Sequence, residues 1–445
     1  MKAIIVPGVT DLNKGDQALV WESHRLVEDI GLFHEIYLLS SGDTKEEEEL
    51  LCSQTKQRGF KFIQKILKHP RRGRHIEKEA IKDSPLSLFI LFFNAFKDFV
   101  STSFLLFLCK NDKLVKLFFD KNTYTTLSHF KESDVIFVKG GGFIHAYGEK
   151  TAPYLMWYFL FYTRLAKRLS KKVVFLPNSF GPFIGLTVKN QVRKVFNQVD
   201  KVFARELKSS TKLGRLLGKS IEVSPDLGFY LRLPIKDANQ NSLLEKYGLS
   251  KEEKIIGITV RPWRFPGAEN PGSKYLNYIN SVTHLIKHLI EINYKVALCN
   301  QSIGPNAHED DRNAINEVTS SISSKNLVWI NEDLPCDELK SLYSNFHAFI
   351  GTRFHSVIFS LTSTVPSIAI GYGGNKAEGI MSDFNLKEFV VQIEDVSSTI
   401  LIEKFNELIK NHEKIKCELK LMVKEINEQR SDTIESIKKI VSNEP

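Results

Sequence analysis

Residues Gly351-Thr352-Arg353-Phe354-His355-Ser356 set a permanently charged guanidinium two positions from an imidazole able to give and take protons near neutral pH. The apolar run Ala348-Phe349-Ile350 just before them predicts a strand that ends at the glycine, with a helix starting after it. Open parallel α/β sheets bind ligands beyond the carboxyl ends of their strands, and a helix N-terminus there offers amide donors to phosphate. Acid–base chemistry on an anion is one reading of this spacing. An arginine salt-bridged within the protein, beside a histidine on a first helical turn, is the other.

Other candidates also fall just after predicted strands: Asp16, Lys139, Asn178, Arg205, Arg261 and Lys376. Asn13-Lys14-Gly15-Asp16 follows the first strand, where Asp16 is either a helix N-cap or an acceptor for substrate hydroxyls. Lys139-Gly140-Gly141-Gly142 permits close approach of backbone amides at Gly141 and Gly142, but matches neither G-x-G-x-x-G nor a phosphate loop ending in G-K-[ST]. His145, just beyond it, is either a ligand contact or a structural hydrogen-bonding group. Arg261 leaves the apolar run Gly257-Ile258-Thr259-Val260 and needs an anionic partner, whether a protein carboxylate or a ligand. The acidic trio Glu309-Asp310-Asp311 reads as caps and dipole partners of a helix rather than a metal site.

These residues need a scaffold, and the chain supplies a repeated one. Apolar runs at 3–6, 134–138, 172–176 and 201–203 each lead into a turn rich in Gly, Pro or Asn and then a stretch of helical period. A second series follows at 254–260, 295–299, 326–330, 348–350 and 366–370. Such alternation predicts an α/β fold with two doubly wound Rossmann-like domains and a cleft between them. The expected domains are residues 1–234 and 243–445, with 235–242 as a polar linker and charged helices over 398–442 closing the second domain.

With 445 residues, of which 42% are hydrophobic, the chain is long enough for two cores. The formal charge of +9 favours an acidic partner without choosing which. Five widely spaced cysteines with no C-x-x-C pair argue against a disulfide framework or a zinc site, and 3–8 reads as a first strand, so a cytoplasmic setting is expected. Dispersed basic residues disfavour nucleic acid. Leu86 to Cys109 is almost long enough to span a bilayer at about 20 residues. Asn94, Lys97 and Asp98 interrupt it, which leaves a core helix or a membrane-surface element ahead of a true span. For the membrane-surface reading, peripheral contact would use the stretch that begins at Lys65, carries His69-Pro70-Arg71-Arg72-Gly73-Arg74, and ends at Cys109.

Taken together, several short motifs resemble the polysaccharide pyruvyl transferase family: Asn13-x-Gly15-Asp16-x-Ala18, Gly140-Gly141-Gly142, Ser179-Phe180-Gly181-Pro182-Phe183, Ala204-Arg205-Glu206-x-x-Ser209, Ser224-Pro225-Asp226-Leu227, Gln301-Ser302-Ile303-Gly304-Pro305, Arg353-Phe354-His355, and Gly371-Tyr372 with Lys376. Residues 45–131 match little and look like an insertion. The chain departs from the family at Asn178, where glutamine is common, and at Glu206, where aspartate is usual. The resemblance implies a GT-B-like, glycosyltransferase-like pair of domains that transfers pyruvate from phosphoenolpyruvate to saccharide hydroxyls, usually as a cyclic ketal, for cell-surface polysaccharide. It implies His355 as proton carrier and Arg261 and Arg353 as donor-binding groups, with Lys376 near the leaving phosphate. Asn13, Asp16, Gly141, Gly142, His145 and Asn178 would face the acceptor, a lipid-linked or nucleotide-linked saccharide; no metal and no cofactor beyond the co-substrate are expected. A nucleotide-sugar glycosyltransferase and a non-catalytic glycan-binding subunit are the competing expectations.

Overall fold

The computed structural model describes residues 1–71, 84–234, 240–373 and 376–442, with the side chains of 240–242 and 376 excepted. Residues 235–239 of the expected linker and 72–74 of the expected basic cluster therefore lie outside the described residues, and 240–242 begin the helix Gln240–Lys246.

The first sheet is wholly parallel: β1 (Lys2–Val6), β2 (Glu35–Leu39), β3 (Lys61–Ile63), β4 (Val135–Val138), β5 (Gly141–Tyr147), β6 (Lys172–Ile184), β7 (Lys201–Ala204) and β8 (Glu222–Val223). Their order is β3-β2-β1-β4-β6-β7-β8, with β5 added on β6. The second holds β9 (Ile255–Thr259), β10 (Lys295–Cys299), β11 (Leu327–Ile330), β12 (Ala348–Gly351), β13 (Ser367–Gly371) and β14 (Val390–Gln392). Its order, β11-β10-β9-β12-β13-β14, is that of a Rossmann domain, and the first sheet starts the same way. The central strands are near-continuous apolar runs because helices cover both faces; Ile255, Ile256 and Ile258 of β9 are fully buried, and Phe346 and Phe349 fill the place a side chain at Gly257 would take.

In both sheets the strand order reverses between the first and fourth strands, which opens a crevice at β1/β4 and another at β9/β12. The two crevices are held face to face. The Lys14 amide donates to the Gln301 carbonyl at 3.0 Å and the Ile303 amide to the Leu12 carbonyl at 2.9 Å, so a short antiparallel bridge joins the loop after β1 to the loop after β10.

Three boundaries differ from expectation. Residues 45–63, the start of the expected insertion, are built into the first sheet: they form the helix Lys45–Gln57 and the edge strand β3, and Thr55 is hydrogen-bonded to Asp11. The turn expected at 177–182 is the second half of β6, kept extended by β5 along one side. The last helix, His412–Ser442, does not stay with the second sheet. It crosses to the first, where Lys172 Nζ donates to the carbonyls of Ile440 and Val441 at 2.8 Å and Thr433 meets Ser224 at 2.7 Å.

Candidate active site

A cavity of about 370 Å³ opens between the two crevices, lined by Asn13, Asp16, Gly141, Gly142, Arg205, Trp263, Phe354, His355 and Tyr372 among others. Each sheet delivers its share at strand ends. Asn13 caps the helix Lys14–Asp29, its side chain accepting from the amides of Gly15 and Asp16. Asp16 is thus no cap: it accepts from the Thr10 amide at 3.1 Å and pairs with the buried Lys139. Gly141 has φ near +151°, a conformation that favours glycine, and starts β5 where the chain leaves β4.

His355 sits on the first turn of the helix Phe354–Leu361, which begins at the cavity with no side-chain cap. Its ring is clasped between Gly15 and Gly228, and Nε2 is buried without a hydrogen bond, 3.7 Å from Asp226 Oδ1. Burial works against the ionised Asp226, but Arg205 and His355 outweigh it and hold that carboxyl well below the usual carboxylate range. Arg205 reaches Asp226 Oδ2 at 2.5 Å through Nη1 and the Ser179 hydroxyl at 2.6 Å through Nε, over the face of Phe354. Its Nη2 donates to no protein group among the described residues. Among the described residues the cation lining the cavity is therefore Arg205, and Asp226 is the carboxylate facing His355. Both are at strand ends in sequence, but nothing in their spacing links them to residue 355.

The expected arginine clamp takes another form. Arg353 turns away from the cavity: Nε donates to Asp311 Oδ1 at 2.8 Å, Nη1 to Glu309 Oε2 at 2.9 Å and Nη2 to the Glu309 carbonyl at 2.8 Å. It is salt-bridged within the protein, and the acidic trio is its partner as well as a helix cap. Arg261 stands behind the cavity wall, 5.0 Å from the Trp263 ring centre and 4.3 Å from that of Tyr372, with Glu309 3.5 Å from its Nη2. The acceptor candidates also divide. Asn178 is fully buried behind Gly141 and donates to the carbonyls of Lys139 and Leu176, while His145 bonds the Gly142 carbonyl; neither lines the cavity. The side chain of Lys376 lies outside the described residues.

A second cavity, of about 820 Å³, adjoins the first, sharing Arg205 and Phe354 with it. Its walls carry Glu206, Lys208, Lys212, Asp383 and Gln429, the last from the helix that crosses between the sheets.

Residues 13–374 match the sequence model of polysaccharide pyruvyl transferase, a span that contains the motifs around both crevices. The chain belongs to the polysaccharide pyruvyl transferase family. As a member it is a transferase. It is 27% identical over 318 residues to the amylovoran biosynthesis protein AmsJ of Erwinia amylovora, covering 69% of this chain and 74% of that one. In fold it is similar to a putative UDP-N-acetylglucosamine 2-epimerase from Listeria monocytogenes, with TM-score 0.58, 11% identity and coverage of 100% and 97% of the two chains. A UDP-GlcNAc 2-epimerase from Methanocaldococcus jannaschii is similar as well, at TM-score 0.54 and 12% identity over 91% of this chain and 92% of that one. At such identities the likeness carries the two-domain fold and nothing of the substrate.

Within this pyruvyl transferase family member, the contact between Gly15 and His355 is itself testable. A Cβ at residue 15 would lie 2.2 Å from His355 Nδ1, so Gly15→Ala must push the ring aside. A misplacement on the order of 1 Å costs about a hundredfold in rate. The expected result is a kcat lowered about a hundredfold with the far-ultraviolet circular dichroism and melting temperature of the parent.

Proposed function

We propose that the smaller cavity takes phosphoenolpyruvate and that pyruvate passes from it to hydroxyls of a saccharide in the larger one, yielding a ketal and free phosphate during assembly of a surface polymer. The observation that carries this reading is the junction of the two cavities at Arg205 and Phe354, with His355 and its counter-charge Asp226 beside it. A small anion and a bulkier polyol need adjoining spaces of those unequal sizes.

The chemistry follows the residues. His355 delivers a proton to the methylene carbon of the enol, and the adjacent carbon becomes cationic. A sugar hydroxyl attacks that carbon and gives its proton to the ring, restoring the acid. Phosphate departs with the C–O electron pair, and a second hydroxyl attacks to close the ketal, its proton leaving with phosphate. Asp226 supplies the negative charge facing the imidazolium that gives and then regains the proton. The uncapped amides at the start of the helix Phe354–Leu361 and Arg205 Nη2 are the donors available to phosphate and carboxylate. This moves the donor contact from Arg353 to Arg205 and leaves Arg261 to brace the wall of Trp263 and Tyr372. The relative AmsJ, an amylovoran biosynthesis protein, supports a polysaccharide setting.

Incubation with phosphoenolpyruvate and a pool of bacterial saccharide acceptors should release inorganic phosphate in an acceptor-dependent way. Thermal stabilisation by a UDP-sugar with none by phosphoenolpyruvate would replace this reading with a glycosyltransferase.

A further inference from the structure

We infer that the helix Pro85–Leu108, with the helix Ala152–Arg168 on which it lies, docks this protein on the surface of an anionic lipid bilayer. The inference is independent of the donor assignment.

The helix Pro85–Leu108 is the one helix among the described residues long and apolar enough to cross a membrane. A core helix of that composition would be covered, yet only Thr102, Leu105 and Leu108 are buried. They fasten its C-terminal half to the body: Trp157 Nε1 donates to Thr102 Oγ1 at 3.1 Å, and Phe99 meets the Trp157 ring edge-on. Along the outer side, Phe89, Phe92, Phe93, Phe96 and Phe107 recur at helical spacing, each more than half exposed. Phenylalanines in such number, turned to solvent on a single helix, form an apolar patch of the kind that marks a partner or membrane site. The core-helix expectation is overturned here by the exposure itself.

What covers the stripe is indicated by its charge. Beside it lies a groove of about 1000 Å³, walled by Phe92, Phe96, Phe99 and Trp157 and edged by Lys150, Arg164 and Lys194. A neighbouring cavity adds Lys110 and Arg168, while its Lys167 is paired with Asp200 at 2.8 Å. Neither is lined by any Asp or Glu among the described residues, although the whole chain has 52 acidic residues against 61 basic ones. Arg164 lies over Trp157 at 4.8 Å and donates to Gln191, with no carboxylate partner among the described residues. Aromatic side chains that enter the acyl boundary, ringed by cations at headgroup level, are complementary to an anionic membrane surface. Lys97, at mid-helix, and the fastening to Trp157 set the helix along the bilayer plane rather than through it.

The test is vesicle flotation of the full chain. It should float with phosphatidylcholine vesicles containing phosphatidylglycerol, remain at the bottom with phosphatidylcholine alone, and lose binding as salt rises. Phe92→Ser with Phe96→Ser should abolish flotation, and Lys150→Glu with Lys194→Glu should weaken it at least about tenfold, at about 1 kcal/mol per basic residue near the surface. All four side chains are exposed or groove-lining, so melting temperatures should match the parent. Sedimentation without anionic vesicles in every lipid mixture overturns the proposal. So does equal binding to neutral vesicles, or a dimer seen by light scattering that the phenylalanine pair dissociates while no vesicle binding occurs.

Discussion

His355→Asn is expected to lower the turnover of phosphoenolpyruvate about a hundred- to ten-thousandfold, the usual contribution of a placed acid–base group, while donor KM changes by less than about threefold. The asparagine keeps a polar side chain of similar reach but carries no proton between the enol and the sugar. Because Nε2 makes no hydrogen bond in the resting site, the substitution breaks no existing bond at that atom, and the fold should persist. Stopped-time phosphate release with isotope-labelled donor measures the effect. Turnover within threefold of the parent would remove His355 from the chemistry, and with it the assignment of Asp226 as counter-charge.

Arg353→Met is expected to act on stability instead. Asp311 is fully buried, accepts from the amides of Gln301 and Ser302, and depends on Arg353 for its opposing charge. Burial already raises its carboxyl above the usual range with the guanidinium in place. Removing one member of a buried ion pair costs about 3 to 5 kcal/mol, which for a domain near 200 residues lowers the melting temperature by at least about 6 °C. Asp311→Asn on top of Arg353→Met should recover part of that loss, since the orphaned charge disappears. A variant that melts like the parent but shows a greatly raised donor KM would return Arg353 to the anion site.

The strands and their parallel pairing were readable because fully buried strands leave apolar runs punctuated by turn residues, and the ligand edge followed from Asp16, Lys139, Arg205, Arg261 and Arg353 falling just after those runs. The partners of Arg353 were not readable, since Glu309 and Asp311 sit more than forty positions earlier and arrive through a loop whose path depends on the bridge to Leu12. Arg205 and Asp226 meet His355 only because the two sheets face each other, a relation with no local signature. The final helix has the same amphipathic period on either sheet, so its crossing to Ser224 and Lys172 is decided by tertiary packing. Pro85–Leu108 is the converse case: its residues were legible as a membrane-compatible helix, but exposure is a property of what the rest of the chain leaves uncovered.

The bridge between Leu12 and Ile303 constrains how the enzyme breathes. Two main-chain bonds, at Leu12 and Lys14, pin the lobes together on either side of the Asn13 cap, and Lys14 adjoins the Gly15 that touches His355. A clamshell hinged at the far edge would have to tear them, together with the bonds from Cys336 to Gln17 and from Lys340 to the Leu231 carbonyl. Points near a pivot travel least. The imidazole and its counter-charge therefore sit where any turning of the lobes about this pin would part them least.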